Sequence, residues 1–285
     1  MRTHLVRRLG AVAALIVGSL IAAVVPAPTA TAAPPAGGWA PAATATIHPG
    51  VMMFTNGAQC TANFIFTRGT EVLIGYAAHC AGTGAATETN GCDSGSLPLG
   101  TPVEIDGASQ PGTLVYSSWL AMQAANETDP NACDYNDFAV VRLAAADVSK
   151  VNPSIPHWGG PTGLNTSGNP ALSDVYSYGN SSLRLGLSQL SPKQGVSLGT
   201  SGGGWTHPVY TVTPGIPGDS GSAMLDASGR ASGVLSTVAI APLTGSNNFS
   251  DMSRALAYAN SHGQSGLTLE NGTEAFNPNA LPLGV

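Results

Sequence analysis

Apolar residues along this chain come in short runs punctuated by Gly, Pro, Asn and Ser. Runs of this kind, bounded by turn formers, predict β-strands. Val51–Thr55 is the first, closed by an Asn56–Gly57 turn. Thr61–Thr67 and Val72–Ala78 follow, with Arg68–Gly69–Thr70 turning the chain between them and His79–Cys80 just beyond. Thr101–Ile105 and Gly112–Tyr116 are shorter candidates, while Ala81–Gly100 is irregular and Ala121–Asp134 reads as a polar loop. Phe138–Leu143 is an apolar strand immediately after Asp137. Residues 151–169, rich in Pro, Gly, Ser and Asn, read as a linker between two halves. The second half offers Val175–Gly179, Val209–Val212, Ser222–Leu225, a hairpin loop at Asp226–Gly229, and Ala231–Ile240. One stretch has helical spacing instead: Ser250–Ser261, with Ser250 as N-cap, Met252, Leu256 and Ala259 on one face, and Gly263 at the end. Many short strands and a single late helix predict an all-β fold with a C-terminal helix.

The N-terminus follows a different pattern. Arg2, Arg7 and Arg8 precede an apolar stretch, Leu9–Val25, and Ala30–Thr31–Ala32 supplies small residues. That is the layout of a secretory signal peptide over residues 1–32. A membrane anchor is the competing reading, because the run nears spanning length. The small-residue site and the Pro/Ala-rich continuation favour cleavage, leaving no membrane association. Residues 33–46 then form a linker, 47–150 a first β unit, 170–263 a second with the helix, and 264–285 a Gly/Asn/Pro-rich tail expected to have little order.

Charge and cysteine content narrow the class. Of the whole chain 43% is hydrophobic and only 9% charged. Without the signal, seven basic side chains face sixteen acidic ones, a net of −9. That balance argues against nucleic acid or an anionic membrane as partner. The expected state is a monomer outside the cell. In an exported chain Cys60, Cys80, Cys92 and Cys133 read as two disulfides, with three pairings possible. Neither Cys-x-x-Cys nor His-Glu-x-x-His occurs, so no metal is implied, and no other cofactor is.

The stretch Pro217–Gly218–Asp219–Ser220–Gly221–Ser222 is where chemistry enters. In isolation it is an ordinary turn. A serine hydroxyl is a poor nucleophile and needs a nearby base, and small neighbours give a carbonyl room to reach it. His79 ends an apolar strand beside a cysteine, a setting that fixes its backbone. His48 and His157 lie beside prolines in loops, His207 precedes Pro208, and His262 sits at a helix end where a cation is favoured. Asp137 stands where a polar loop meets an apolar strand, a place where a charge needs a partner. Asp134, three residues earlier, reads as a turn acid. His79 as base and Asp137 as the carboxylate that orients it complete a Ser-His-Asp set with Ser220.

Three segments, Ala77–Cys80, Asp137–Leu143 and Gly218–Gly221, in the order His, Asp, Ser, resemble the signature blocks of chymotrypsin-like serine proteases. They are most similar to the secreted bacterial branch, over roughly residues 51–262. The resemblance implies two antiparallel β-barrels, His79 and Asp137 in the first and Ser220 in the second. It implies a secreted endopeptidase acting on protein or peptide substrates. His79 would serve as general base and then acid, Ser220 would form an acyl-enzyme, and the backbone N–H groups of Gly218 and Ser220 would form the oxyanion hole. It also pairs Cys60 with Cys80, leaving Cys92 with Cys133. Pro214 would lie at the base of the S1 pocket, with Ser236, Thr237 and Val238 on its wall and Ser236 close to Asp137. No acid stands at Pro214 and Val238 narrows the pocket, so the expected preference is for small or medium apolar residues before the cut.

The sequence departs from that pattern in two places. Ile216 stands where many relatives have a cysteine shortly before the serine. No Lys or Arg lies between the signal and Arg68, so no trypsin-like activation site is present and Asp219 needs an internal counter-charge, for which Arg184 is the candidate. Two other readings compete. A non-catalytic module keeping the fold for binding or adhesion would share these strands. An α/β-hydrolase esterase would use Ser220, Asp251 and His262, but it needs Gly-x-Ser-x-Gly, where Ser222 takes the last place, and helices alternating with strands.

Overall fold

A computed structural model describes residues 35, 37–84, 88–239 and 245–281, and the expected signal segment lies outside the described residues. The first half carries strands β1 (Met52–Thr55), β2 (Ala58–Thr61), β3 (Ile65–Arg68), β4 (Glu71–Tyr76), β5 (Pro102–Ile105), β6 (Gly112–Ser117) and β7 (Ala139–Arg142). β1 and β2 are joined by Asn56 and Gly57 at φ 48° and 84°, the two positive values that an Asn-Gly hairpin turn adopts readily. With a late strand, β14 (Thr268–Leu269), these make one antiparallel sheet in the order β14-β3-β4-β7-β6-β5-β1-β2. The sheet curls on itself because residues 62–64 join β2, at one end of the strand order, directly to β3, next to the other end. β2 pairs with β1, Cys60 facing Met53, and β3 pairs with β4, Ile65 facing Ile74. Phe64, Phe66, Leu73, Ile74, Phe138 and Val141 fill the interior at 0% exposure. Each such side chain contributes roughly 1.5–3 kcal/mol by leaving water.

The second half carries β8 (Asp174–Tyr178), β9 (Pro192–Ser197), β10 (Thr206–Thr211), β11 (Ala223–Asp226), β12 (Ala231–Ala239) and β13 (Ser246–Asp251). They close into a barrel, β10-β13-β12-β11-β8-β9, around Val175, Val209, Met224, Leu235 and Phe249. The all-β architecture with a C-terminal helix is therefore as expected.

Four local expectations change. The expected polar loop at 121–134 contains most of one helix, α1 (Ser118–Ala125), and most of another, α2 (Pro130–Tyr135). Trp119 and Met122 bury one side of α1. Asp129 accepts from Asn131 N at 2.9 Å and Pro130 occupies the first turn of α2, a start signal hidden by the polar composition. The late helix, α3 (Met252–Ser261), is capped by Asp251, which accepts from Arg254 N at 2.8 Å, while Ser250 remains in β13. Residues 151–169 are more than a connector, since Ile155 and Trp158 are buried and Trp158 Nε1 donates to Ser177 O at 2.8 Å.

The tail, expected to have little order, is fastened along both halves. Glu270 N donates to Ile65 O at 2.9 Å, Gly272 N to Pro161 O at 2.8 Å, and Phe276 packs edge-on against Tyr176. Among the described residues no helix is long and apolar enough to cross a membrane.

Candidate active site

β4 delivers His79, and the step into β7 delivers Asp137. The imidazole Nδ1 meets Asp137 Oδ2 at 2.6 Å, and the backbone N–H of His79 donates to Oδ1 at 2.8 Å. Ser236 Oγ donates to the same Oδ2 at 2.6 Å. A carboxylate 3% exposed is thus met by three donors, which is how a buried charge is tolerated. Burial drives the Asp137 pKa upward, but the His79 charge and these hydrogen bonds outweigh it and hold the pKa below the usual carboxylate range. For His79, burial pushes the imidazole down, and the Asp137 charge and hydrogen bond overcome that and raise it above 6.5. The Nδ1 bond leaves Nε2 as the nitrogen free to exchange a proton with a substrate or nucleophile.

The Ser220 turn comes from the second barrel but is seated on the first. Thr61 N donates to Ser220 O at 2.8 Å. Gly221, at φ +89°, lies so close that a Cβ there would stand 2.6 Å from Thr61 O and 2.9 Å from Ala77 N. Only glycine permits that approach. Thr61 follows Cys60, and Cys60 is bridged to Cys80 beside His79. His79 and the Ser220 turn are therefore fastened to one short piece of β2. The second bridge joins Cys92 to Cys133.

Two N–H groups of the turn are left open. Neither Gly218 N nor Ser220 N donates to any partner among the described residues, while Asp219 N and Gly221 N donate to Ile216 O and Leu235 O. Gly218 adopts φ +95°. Ser181 Oγ donates to Pro217 O at 2.5 Å and Thr61 Oγ1 to Gly218 O at 2.8 Å. In a trans peptide the N–H points opposite its carbonyl, so anchoring Pro217 O turns the Gly218 N–H toward the open side. Among the described residues the His79 imidazole bonds to Asp137 alone, and the Ser220 hydroxyl has no hydrogen-bond partner. Apo geometry of this kind does not disqualify a Ser-His pair, whose contact commonly tightens only in a complex.

Beneath the turn Asp219, 0% exposed, is held by Arg184 through both guanidinium nitrogens, at 2.5 and 2.7 Å. The counter-charge expected from Arg184 is in place. A second cation, absent from the sequence reading, joins it: Lys193 Nζ lies 3.2 Å from Asp219 Oδ2. Lys193 also donates to Thr213 O at 3.2 Å and Pro214 O at 3.3 Å. Burial pushes the lysine pKa down and the neighbouring arginine adds to that, against the pull of Asp219. Ile216 N donates to Asp219 Oδ2 at 3.1 Å, so non-covalent bonds fasten the segment in which Ile216 stands in place of a cysteine.

The remaining expected residues fall as follows. Pro214 lies over Lys193, and Thr237 Oγ1 accepts from Asn248 Nδ2 at 3.4 Å. Val238 pairs with Asn247 on the neighbouring strand β13, and its side chain lies outside the described residues. A cavity of about 210 Å³, lined by Tyr135, Thr206, Ser236, Thr237 and Ser250 among others, opens beside the dyad. The esterase set is not assembled: Asp251 meets His207 Nε2 at 2.8 Å and caps α3, while His262 stacks on Tyr258. Cys60, His79 and Cys80 place donor atoms within 4.8 Å of one another, but both sulfurs are spent in the disulfide and offer no thiolate to a metal.

By sequence the chain matches no protein-family model and no curated protein. By structure it is similar to protease A of Thermobifida fusca, at 20% identity, covering 79% of this chain and 99% of that one with a TM-score of 0.51. A chymotrypsin of Cellulomonas bogoriensis matches at 20% identity over 79% and 98%, with a TM-score of 0.43. The Nocardiopsis protease NAPase matches at 18% over 79% and 98%, with 0.46. Of these the first exceeds 0.5, and at that identity it shows the fold and not the activity. The chain has the fold of the chymotrypsin-like serine proteases.

Proposed function

We propose that this chain is a secreted serine endopeptidase that hydrolyses peptide bonds in proteins or peptides without a cofactor. One observation carries the reading: the Asp137–His79 pair and the Ser220 turn are locked to the same strand, β2, with two N–H groups on the turn that have no partner among the described residues. Ser220 Oγ attacks the scissile carbonyl and passes its proton to His79 Nε2. Asp137 holds the imidazole in the required tautomer and stabilises its charged form. Negative charge gathers on the carbonyl oxygen, where the N–H groups of Gly218 and Ser220 receive it, each worth about 3 kcal/mol in comparable sites. The imidazolium then protonates the leaving amine, and water releases the acyl group from Ser220 by the reverse sequence. The two disulfides support export to an oxidising compartment.

The test is covalent labelling by an organophosphate probe. The expected result is a single adduct on Ser220, absent in Ser220→Ala and slowed in His79→Ala, together with cleavage of a denatured protein. A folded chain that takes no label and cuts nothing would instead be a binding module on the same scaffold.

A further inference from the structure

The sequence expectation of a small or apolar residue before the cut rests on Pro214 and Val238. A third residue, Asn247, changes that expectation. It lies on β13 directly across from Val238 on β12 and is 1% exposed. Its Oδ1 accepts from Gly215 N at 2.8 Å. That bond fixes the amide orientation, because a backbone N–H can bond only to the oxygen. The NH2 end therefore faces away from Gly215 N, and Asn247 Nδ2 is buried with no partner among the described residues.

The position of that orphan donor matters. The side chain that precedes the scissile bond is expected between Pro214, at the base of the pocket, and Ser236, Thr237 and Val238, on its wall. Asn247 is bonded to Gly215, next to that base, and paired with the wall at Val238. A Cβ at Gly215 would stand 2.8 Å from Nδ2, so glycine keeps side-chain atoms off the amide on that side. A buried donor is costly to leave unmet. An apolar side chain entering that pocket would leave it so; one ending in an oxygen acceptor would meet it.

The charge behind the pocket points the same way. Lys193 and Arg184 face one carboxylate, Asp219, in a buried cluster under Pro214. The cluster carries two positive charges against one negative. Lys193 Nζ already meets three oxygens, so it acts on a substrate through its field and not by contact.

We propose that Asn247 is the floor of the specificity pocket, and that its free amide hydrogens select a residue ending in a carbonyl or carboxylate oxygen, glutamine or glutamate, before the cut. The proposal rests on the endopeptidase reading and replaces the small or apolar preference.

The experiment compares peptides identical except for Gln, Glu, Met or Lys before the scissile bond. Methionine has nearly the shape of glutamine without the acceptor. The expected kcat/KM for Gln or Glu exceeds that for Met at least tenfold. Asn247→Asp keeps the acceptor for Gly215 N and removes the free donor, so the ratio of Glu to Lys should fall by tenfold or more. A merely structural role would lower all four substrates together. Glu above Gln assigns the carboxylate as the favoured tip; equal rates assign the carbonyl. Equal rates on Gln and Met, unmoved in Asn247→Asp, would overturn the proposal and leave the amide bonded to buried water. The second arm uses Ser220→Ala and measures binding of acyl peptides that end in the same four residues. If the wild type takes no label and cuts nothing, the endopeptidase reading fails, while this arm still decides on Asn247: tighter binding of Gln or Glu than Met supports it, and no difference sinks it.

Discussion

Arg184 grips Asp219 through both ends of its guanidinium, Nη1 on Oδ1 at 2.5 Å and Nη2 on Oδ2 at 2.7 Å, one residue before Ser220. The carboxylate is thereby compensated from within the chain, where a trypsin-like zymogen would rely on a newly cut N-terminus. Arg184→Met leaves a buried carboxylate with Lys193 as its remaining cation. Breaking a buried pair in this way typically costs about 3–5 kcal/mol. Urea denaturation of the variant should show a loss in that range, at its lower end because Lys193 stays, and labelling of Ser220 should slow. Unchanged stability and labelling would mean that the pair does not hold the turn.

Asp137 accepts from His79 N, His79 Nδ1 and Ser236 Oγ. Asp137→Asn presents an NH2 where the imidazole needs an acceptor, favours the wrong tautomer, and should lower kcat by about 10⁴-fold. Ser236→Ala removes one donor to a carboxylate that keeps two, so an effect of roughly tenfold is expected. Steady-state hydrolysis of a small ester reads both. If Ser236→Ala matched Asp137→Asn, the serine would have a direct catalytic part.

The two disulfides should separate stability from activity. Cys92–Cys133 closes a sequence separation of 41 and Cys60–Cys80 one of 20. Chain-entropy arguments give about 4 and about 3 kcal/mol respectively. Replacing both partners of the first by alanine should lower stability more and leave the ester rate nearly intact. Replacing both of the second should lower stability less, yet reduce the rate, because that bridge ties His79 to the strand seating Ser220. Thermal melts and ester hydrolysis on the two double variants check the crossover.

The residues that answer to local pattern were legible in the sequence. Apolar runs between turn formers marked most strands, and His79, Asp137 and Ser220 stood out by their settings before any pairing was known. Arg184 was reachable because Asp219 demanded a cation. What escaped depends on contacts distant in sequence. Asn247 is an asparagine in an unremarkable Asn-Asn step, and its meaning appears only once β13 lies against β12 and Gly215. Lys193 looks like a surface lysine until Asp219, Thr213 and Pro214 surround it. The tail has turn-former composition throughout, yet its backbone groups pair with Ile65, Gly160 and Pro161. The start of α2 was an exception, since Asp129–Pro130 was a readable cap that polarity obscured.

The His79–Asp137 pair makes activity and stability answer to pH in opposite directions. Catalysis needs the neutral imidazole. Burial alone would push the His79 pKa down; the Asp137 charge and hydrogen bond reverse that and place it above 6.5. The acid limb of kcat/KM should therefore have its midpoint above 6.5. In Asp137→Asn the burial remains and the charge is gone, so the midpoint of the residual activity should fall. For stability, a raised histidine pKa means the folded chain holds the proton more tightly than the unfolded one. That contribution is fully present below the unfolded value of 6.5 and is lost as pH rises through the folded value. Asp137 runs the other way: its pKa is lowered from 3.8, so its contribution is present above 3.8 and disappears as pH falls through the folded value. Between those windows the pair is at full strength while His79 is protonated, and the proposed catalysis should be idle. Raising the pH then gives up part of the pair's stabilisation to free the base. Urea midpoints measured from pH 4 to pH 9 beside the activity profile should show the pair's contribution declining over the same interval in which kcat/KM climbs, and Asp137→Asn should abolish that decline. A wild-type acid limb centred below 6.5, or a decline that survives Asp137→Asn, would separate the two effects and remove the pair as their common cause.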